Sequence, residues 1–463
     1  MNNADGRGPA DMGASRQCTR RLAEYAVGLR YDDIPPDVLA RAKNTIADGI
    51  GAIVFGSTLP WSRMILDYAE RAGANGRSRV LRPGGPLVGA ASAALANGLM
   101  AHAFELDGAT KPTVGVHPFA TIFPAALALA QERGIGGRRV LTAFVAASEC
   151  AIRIGRATKK SNEHRGFHAP GTTGPFAAAI ACGRLMGLDA ARMANALGIA
   201  GSLAGGLVQF SRSRSGGMVK RLHFGRANES GVLAADLADR GFTGPNDIIE
   251  GEFGFLRVFC DDYAMEEVTK DLGQTFHTLT IYMKRFPAHG TAQTPLQAIE
   301  ELRAERPFTG DDVEAISIAG SRDMLERHDI PEPADIMSLQ YSVNCCAALA
   351  CYRDPRDPRS YDASALADPR IRALSRRVAL IPLDQALQKT RDSVKVMVTL
   401  KDGTTLLRQL DHFKGTPDWP PSVADVHEKF ALLMRDCAPT KAEEIFERIQ
   451  NLEAETDLDW LAV

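Results

Sequence analysis

The sequence lacks the local signatures of several large enzyme classes. It contains no GxSxG nucleophile elbow, no HExxH helix, no EF-hand loop and no GxxxxGK phosphate loop, and no GxGxxG follows a predicted strand. These absences remove the usual sequence grounds for a serine hydrolase, a zinc protease or a nucleotide-dependent enzyme. Any chemistry must come from residues that the fold brings together.

Cysteine pairs at metal-binding or redox spacings are also missing. The eight cysteines are scattered, and none forms a CxxC pair. They are typical of small buried apolar residues in a reducing compartment. The first twenty residues have no apolar core of a signal peptide. We therefore expect a cytoplasmic protein, with residues 1–16 disordered.

The chain has little net charge and few long uncharged runs. A formal charge of −2 gives no field to hold nucleic acid or a membrane surface, so neither is expected as a partner. Two stretches, Pro86–Phe104 and Met193–Ser211, carry no charged side chain over a length close to a membrane span. Both are rich in Ala and Gly, which favours tightly packed central helices rather than membrane spans.

The hydrophobic pattern predicts a mainly α protein with a smaller α+β part. A helical period holds from about residue 17 to 271 and again near the C-terminus, so residues 17–271 and 413–463 are predicted to form one large helical domain. Proline in the first turn and a capping aspartate support several helix starts. The predicted helices include Pro36–Phe55, Gly174–Met186, Asp189–Ala204 and Phe224–Arg240. Residues 272–412 are predicted to form an α+β domain, with strands at His277–Met283 and Ala315–Ala319. A further hairpin is predicted around Asp402-Gly403, a strong turn signal.

Polar residues that could carry chemistry gather in five segments. They are 102–118, 164–175, 211–226, 282–293 and 340–346. Taken alone, the first favours a solvated loop, and the second leaves a surface histidine at a helix start as probable as an anion site. The third favours an anion site near the core. The fourth is open between an anion site and a solvated turn, and a tyrosine such as Tyr341 is usually a core residue.

Read in order, these segments resemble the MmgE/PrpD family. The resemblance runs from about Arg20 to about Leu452 and rests on a series of short motifs: Gly-Val-His-Pro, Gly-Phe-His with Gly-Thr-x-Gly-Pro-Phe, Lys-Arg-Leu-His-x-Gly-Arg-Ala, and Lys-Arg-Phe-Pro-Ala-His. The family includes 2-methylcitrate dehydratases, cis-aconitate decarboxylases and iminodisuccinate epimerases. The resemblance implies a helical domain with an α+β lid, a site in the cleft between them, a homodimer and no cofactor.

The resemblance also implies site residues. The family's functional positions fall on His117, His168, Lys220, Lys284, His289 and Tyr341. The acidic turn departs from the family pattern: where dehydratases and decarboxylases resemble Asp-Phe-Asp-Asp-Thr, this chain has Glu-Leu-Asp-Gly-Ala-Thr at 105–110. One acid is lost and the threonine is displaced, which leaves the exact reaction open.

The hypothesis is proton transfer beside a carboxylate of a small polycarboxylic acid. Lys220 and Lys284 would bind the substrate carboxylates, and His168 or His117 would transfer the proton. Glu105 or Asp107 would orient a histidine or protonate the leaving group. Further substrate contacts are predicted at His102, Thr172, Arg221, Arg285, His289 and Tyr341. No metal site is predicted.

Three reactions fit this hypothesis. Dehydration of a 2-methylcitrate-like acid comes first because of the breadth of that activity in the family. Epimerisation of an iminodisuccinate-like dicarboxylate follows closely because it needs no acid for a departing hydroxide. Decarboxylation of an unsaturated tricarboxylate is third. A polycarboxylate-binding protein without turnover is the alternative outside enzymes.

Overall fold

The computed structural model describes residues 17–112, 115–213 and 216–463. The chain forms two compact units. The first takes in the N-terminal part to Ala103, then Asp107–Ile281 and Met434–Val463; the second consists of Phe104–Leu106 and Tyr282–Leu433. The predicted disorder of residues 1–16 lies outside the described residues. The prediction that the folding domains meet near residues 271 and 412 stays a prediction.

The fold is mainly α, as predicted. In the first unit the helices are α1 (Cys18–Gly28), α2 (Pro36–Ser57), α3 (Pro60–Ala72), α4 (Ala90–Ala101), α5 (Pro118–Arg133), α6 (Gly137–Ala157), α7 (Ser161–His164), α8 (Ala169–Met186), α9 (Ala190–Ser202), α10 (Val219–Asp239) and α11 (Phe255–Phe259). The short strands here are β1 (Ser78–Arg79), β2 (Leu87–Val88) and β3 (Ala109–Thr110), and β4 (Ile281–Tyr282) follows at the end of the unit.

Later helices are α12 (Gln293–Glu305), α13 (Arg322–Arg327), α14 (Ile336–Tyr341), α15 (Val343–Ala350), α16 (Ala363–Ala367), α17 (Pro369–Ser375), α18 (Val423–Met434) and α19 (Ala442–Gln450). The second unit contains a four-stranded sheet in the order β6-β5-β7-β8. Its strands are β5 (Val313–Gly320), β6 (Val378–Pro382), β7 (Val394–Leu400) and β8 (Thr405–Leu410). Strands β5 and β6 are parallel, and the other pairs are antiparallel.

Proline and aspartate fix several helix starts. Proline occupies the first turn of α2, α5 and α8, where its missing N–H has no intrahelical partner to lose. Asp189 caps α9 by accepting a hydrogen bond from the Arg192 N–H, as the sequence predicted. The predicted hairpin at Asp402-Gly403 is also confirmed, with Gly403 at a φ of 86°.

Small residues let the central helices of the first unit approach closely. A Cβ atom added at Gly231 of α10 would lie 2.2 Å from the Ala178 Cβ of α8, and one added at Gly225 would lie 2.5 Å from the Leu95 carbonyl oxygen of α4. Only glycine leaves room for these contacts, so α8, α10 and α4 form a dense core. Among the described residues, no helix combines the length and hydropathy that a bilayer crossing needs.

Three elements differ from the prediction. Residues 277–280 form a 3₁₀ turn before the two-residue β4, not a continuous strand. Helix α8 begins at Ala169, five residues before the predicted Gly174, and α10 begins at Val219 rather than Phe224. The first residues of both helices include glycines, threonines or charged residues, which locally favour a loop. Burial of the segment outweighs this weak local preference.

Candidate active site

The turn that follows α4 is buried. His102, at the end of α4, is 2% exposed, Glu105 is 6% exposed and Asp107 is fully buried. The prediction of a solvated loop, favoured when this segment was considered alone, is therefore wrong. Glu105 adopts a φ of 55°, a left-handed conformation that costs free energy in a non-glycine residue. Tertiary packing holds this turn in a conformation that local preference disfavours.

Asp107 holds two histidines. Its Oδ1 lies 2.7 Å from the His102 Nδ1, and its Oδ2 lies 2.8 Å from the His117 Nδ1. Because an ionised carboxylate only accepts hydrogen bonds, each Nδ1 carries a proton and each Nε2 faces away from Asp107. Burial by itself would raise the pKa of Asp107, but the two histidines hold that pKa well below its usual range. Asp107 is therefore a fixed anion that orients both rings.

Phe224 of α10 packs against three histidines from separate parts of the first unit. Its ring stacks on His102 with centroids 3.9 Å apart, and it meets His117 and His168 edge-on at 5.3 and 5.8 Å. His117 immediately precedes α5 and His168 immediately precedes α8, and neither imidazole caps its own helix. The starts of two helices thus place their histidines around one aromatic ring.

His168 is paired with a histidine that the sequence reading did not assign. The Nδ1 atoms of His168 and His223 are 2.8 Å apart, so one ring donates and the other accepts. Burial, and then the positive charge of Lys220, hold the pKa of His168 well below its ordinary value. His168 is only 7% exposed, which corrects the alternative of a surface histidine. Without ligand, it is neutral near pH 7.

Lys220 and Arg221 lie in the first turn of α10 and are both buried. The Arg221 Nε donates to the Ala103 carbonyl oxygen at 2.8 Å, and its guanidinium lies over the Trp61 ring at 4.4 Å. This contact fixes the end of α4 just before the acidic turn. The exposed Arg212 and Arg226 show that only part of the basic segment reaches the core; its Arg214 lies outside the described residues. The substrate contact predicted for Arg221 stays a prediction.

Thr172 lies inside α8 and is fully buried. Its hydroxyl donates to the Ala169 carbonyl oxygen at 3.1 Å and accepts from the Asn162 amide at 3.2 Å. The bond from Asn162 ties α8 to the preceding helix α7, whereas the bond to Ala169 lies within α8. The predicted contact between Thr172 and substrate stays a prediction.

In the second unit, Glu105 and Lys284 form a buried ion pair. The Lys284 Nζ lies 2.8 Å from the Glu105 Oε2, and the two side chains are 2% and 7% exposed. The solvated-turn alternative is therefore wrong for Lys284. Lys429 of α18, which no sequence motif indicated, donates to the carbonyl oxygens of Leu106 and Lys284 at 2.8 and 2.7 Å. It braces both sides of the ion pair.

A second cluster in this unit consists of three stacked or tilted rings, those of His289, His328 and Tyr341. His289 stacks on His328 with centroids 4.2 Å apart, and Tyr341 lies 4.8 Å from His289. The His328 Nδ1 lies 2.9 Å from the Tyr341 carbonyl oxygen and donates to it. Tyr341 is partly exposed and is not a fully buried core residue. Nearby in sequence, Arg285 is paired with Glu300 at 2.5 Å.

His102, Asp107 and His117 are also the donors that a metal ion could use, since their ligand atoms lie within 4.8 Å of one another. However, the two Nδ1–carboxylate distances are those of charge-assisted hydrogen bonds that occupy both oxygens of Asp107. A metal at these atoms would have to replace both protons. The arrangement fits a hydrogen-bonded His–Asp–His triad in which Asp107 engages the Nδ1 atom of each ring.

Comparison with known sequences decides the family. The MmgE/PrpD N-terminal domain matches residues 20–268, and the MmgE/PrpD C-terminal domain matches residues 286–454. The chain belongs to the MmgE/PrpD family. The resemblance read from the motifs is confirmed, and the N-terminal match covers the buried turn, His117 and the His168–His223 pair.

Several characterised members of the MmgE/PrpD family are similar to this chain. A cis-aconitate decarboxylase of Aspergillus terreus is 29% identical, with 97% of this chain and 96% of that protein aligned. A second, from Aspergillus terreus strain NIH 2624, is 35% identical over 64% of this chain and 62% of that protein. The human cis-aconitate decarboxylase is 26% identical over 95% and 92%. The chain is therefore an enzyme of a family in which these relatives are lyases.

Proposed function

We propose that this protein decarboxylates cis-aconitate or a closely related unsaturated tricarboxylate. The observation that carries the proposal is the similarity along nearly the whole chain to cis-aconitate decarboxylases. Dehydration, which the sequence reading put first, and epimerisation stay predictions. Of the three reactions, decarboxylation was put last because the family resemblance alone does not rank it above the others.

The state of the acidic turn supports decarboxylation over dehydration. A departing hydroxide needs a protonated acid, whereas Asp107 is kept ionised by two histidines and Glu105 is paired with Lys284. Decarboxylation has no departing hydroxide, and the proton that it consumes goes to carbon and can come from a histidine. Both carboxylates can remain anions and still position the groups that transfer the proton.

The reaction consumes one proton per turnover. The bond between the CH2 carbon of cis-aconitate and its carboxylate breaks, CO2 leaves, and the electron pair forms a new C=C bond to the neighbouring carbon. The electrons of the old double bond take up a proton at the CH carbon. A tricarboxylate and a proton thus give a 2-methylidene dicarboxylate and CO2. The enzyme must supply that proton and stabilise the negative charge that develops.

Within the first unit, His168 and His117 are the candidate proton donors, and the buried Lys220 is the candidate partner of a substrate carboxylate. The Lys220 cation already acts on His168 and His223, so a carboxylate that neutralises it would make His168 easier to protonate. Substrate binding would thereby prepare the acid. Lys284 and Glu105 remain proposed site residues whose contribution kinetics must establish.

The proposal is tested by NMR with the purified protein in D2O. Chelator is present throughout, and the panel contains cis-aconitate, 2-methylcitrate and an iminodisuccinate-like acid. We expect cis-aconitate to give a methylidene dicarboxylate with one deuterium at the carbon that was the alkene CH. An alkene formed from 2-methylcitrate would instead indicate dehydration, and deuterium in an unchanged skeleton would indicate epimerisation. Absence of any turnover of cis-aconitate would refute the proposal.

Three variants locate the proton donor. His168→Gln and His117→Gln are compared with His164→Gln, a control at an exposed histidine. Loss of a general acid is expected to lower kcat by about 10²–10⁴-fold. The histidine whose replacement leaves kcat within twofold of the control is not the donor.

A further inference from the structure

The facing Nδ1 atoms of His168 and His223 constrain how this pair can hold protons. The two Nδ1 atoms are 2.8 Å apart, which is a hydrogen-bond distance. One Nδ1 therefore carries a proton and donates it, and the other accepts with its lone pair. If His168 becomes an imidazolium, its Nδ1–H must donate, and His223 must accept. Protonation of His168 therefore depends on the acceptor that His223 provides.

The surroundings make this acceptor important. His168 is buried, and the groups that face it are Lys220 and His223 from α10, His102 after α4 and His117 before α5. Every one of these is a cation or can become one, so they oppose a positive charge on His168. The acceptor Nδ1 of His223 is a contact that favours the charge, and hydrogen bonds to charged groups are the stronger kind.

His223 also has access to space beyond the pair. It lines a cavity of about 200 Å³ together with Gly205, Gly206, Arg226 and Ser230. The ring is partly exposed, whereas His168 is buried. His223 can thus keep its Nε2–H toward this cavity while its Nδ1 accepts from His168. The groups that face His223 are His102, Lys220 and His168, and Arg226, one turn further along α10, lines the same cavity.

We propose that His223 is a positioning residue that makes His168 a usable acid, by accepting a hydrogen bond from the His168 imidazolium so that the two rings share one proton. The His168 Nε2–H is then the proton that leaves toward the substrate. A second proton is refused because two adjacent imidazolium ions repel each other. This role rests on the proposed decarboxylation, in which a proton must be delivered at every turnover.

The kinetic test exploits opposite changes at position 223. His223→Ala removes the acceptor, so the pH at which kcat is half maximal should fall by about one unit or more, with roughly a tenfold lower kcat at pH 7. His223→Asp supplies an anionic acceptor, as Asp107 does for His117, and should shift the same midpoint to higher pH. KM should change little in either variant. A merely structural role would not shift the profile in opposite directions.

The controls separate failure of folding from failure of the idea. His164→Ala should keep the wild-type pH profile. If His223→Ala unfolds, His223→Asn replaces it; its amide oxygen is a weaker acceptor, so its midpoint should lie below that of the wild type by less than about one unit. Midpoints that stay at the wild-type pH, or that move in the same direction for all variants, would overturn the proposal.

The sharing of a proton between His168 and His223 can also be tested without substrate. Ring 15N spectra of the full-length protein, titrated downward from pH 8 to the lowest pH at which the protein stays folded, should show His168 and His223 taking up one shared proton. His168 in His223→Ala should protonate at a pH about one unit lower. Independent titration of the two rings in the wild type overturns the proposal. If the wild type does not convert cis-aconitate, the proposed function fails, while these spectra still decide the role of His223.

Discussion

At the scale of single residues, the site is organised by side chains that fix other side chains. Asp107 is fully buried and accepts from two imidazoles, so it determines where the Nε2 atoms of His102 and His117 lie. His223 has the corresponding relation to His168. In the proposed reaction, groups that need not touch the substrate would thus position the histidines that transfer the proton.

Asp107→Asn is expected to lower kcat for cis-aconitate by about 10²-fold or more. The amide oxygen can accept from one histidine, but the amide NH2 opposes the second Nδ1–H and displaces that ring. Steady-state kinetics measure the loss, and thermal unfolding shows whether the fold is kept. Asp32→Asn, at an exposed carboxylate paired with Arg138, is the matched control. A folded Asp107→Asn enzyme with near-normal kcat would contradict the role given to Asp107.

His277 predicts a pH dependence of stability. Burial, reinforced by Arg153 and Arg156, lowers the pKa of His277 to about 4. Between pH 6.5 and 4 the unfolded chain therefore binds a proton at His277 that the folded chain does not bind. The free energy of unfolding should fall as the pH decreases through this window, and it should gain nothing from His277 above pH 6.5.

Urea unfolding of wild type and His277→Gln at several pH values isolates this contribution. The variant should lose less stability than the wild type between pH 6.5 and 4, since titrations elsewhere cancel in the comparison. Equal losses in the two proteins would show that His277 is protonated at its ordinary pH in the folded state.

At the scale of elements, α6 anchors the segment that leads out of the first unit. Arg153 and Glu149, one turn apart on α6, are both fully buried and paired at 2.6 Å. Arg153 also donates to the Thr275 carbonyl oxygen, and Glu149 accepts from the Thr278 N–H and hydroxyl. The pair thus satisfies the polar groups of the 3₁₀ turn where the sequence predicted a strand.

Arg153→Met is expected to lower the free energy of unfolding by about 3–5 kcal/mol, because it leaves Glu149 buried without its cation. The matched control is Arg240→Met, which removes a pair of the same spacing with Asp236 at the surface and should lower the free energy of unfolding far less, because water screens an exposed pair. Urea denaturation measures both. Adding Glu149→Gln should recover part of the loss; equal costs for the two single variants would show that the buried pair has no special role.

At the scale of the whole molecule, several large apolar side chains between residues 203 and 258 of the first unit are exposed. Phe253 is 84% exposed, Leu207 61% and Phe242 58%. Apolar side chains that form a contiguous exposed patch mark association surfaces. Together with the homodimer that the family resemblance implied, they predict that a second copy of the chain covers this stretch.

Light scattering is expected to give twice the chain mass for the wild type. The double variant Phe242→Asp/Phe253→Asp should move the mass toward that of one chain, because a dimer would bury the new charges. Leu407→Asp, at an exposed position on strand β8, should not change the mass. A monomeric wild type would contradict the prediction, as would a double variant that stays dimeric.

Much of the fold could be predicted because its signals are local. Prolines in first turns, the Asp189 cap and the Asp402-Gly403 turn act within a few residues, and each element appears where these signals place it. The early parts of α8 and α10 could not be predicted in this way. Their glycines, threonines and charged residues disfavour helix locally, and only packing in the core makes them helical.

The sequence by itself determined the helical class, the family and the residue types available for proton transfer. Only the tertiary structure decided which of them act together. His168 and His223 are 55 residues apart in the chain, and Glu105 and Lys284 are 179 apart, yet each pair is 2.8 Å apart in space. The spacing of residues along a chain contains no information about such long-range contacts, because they arise when buried helices pack and exclude water from the polar groups between them.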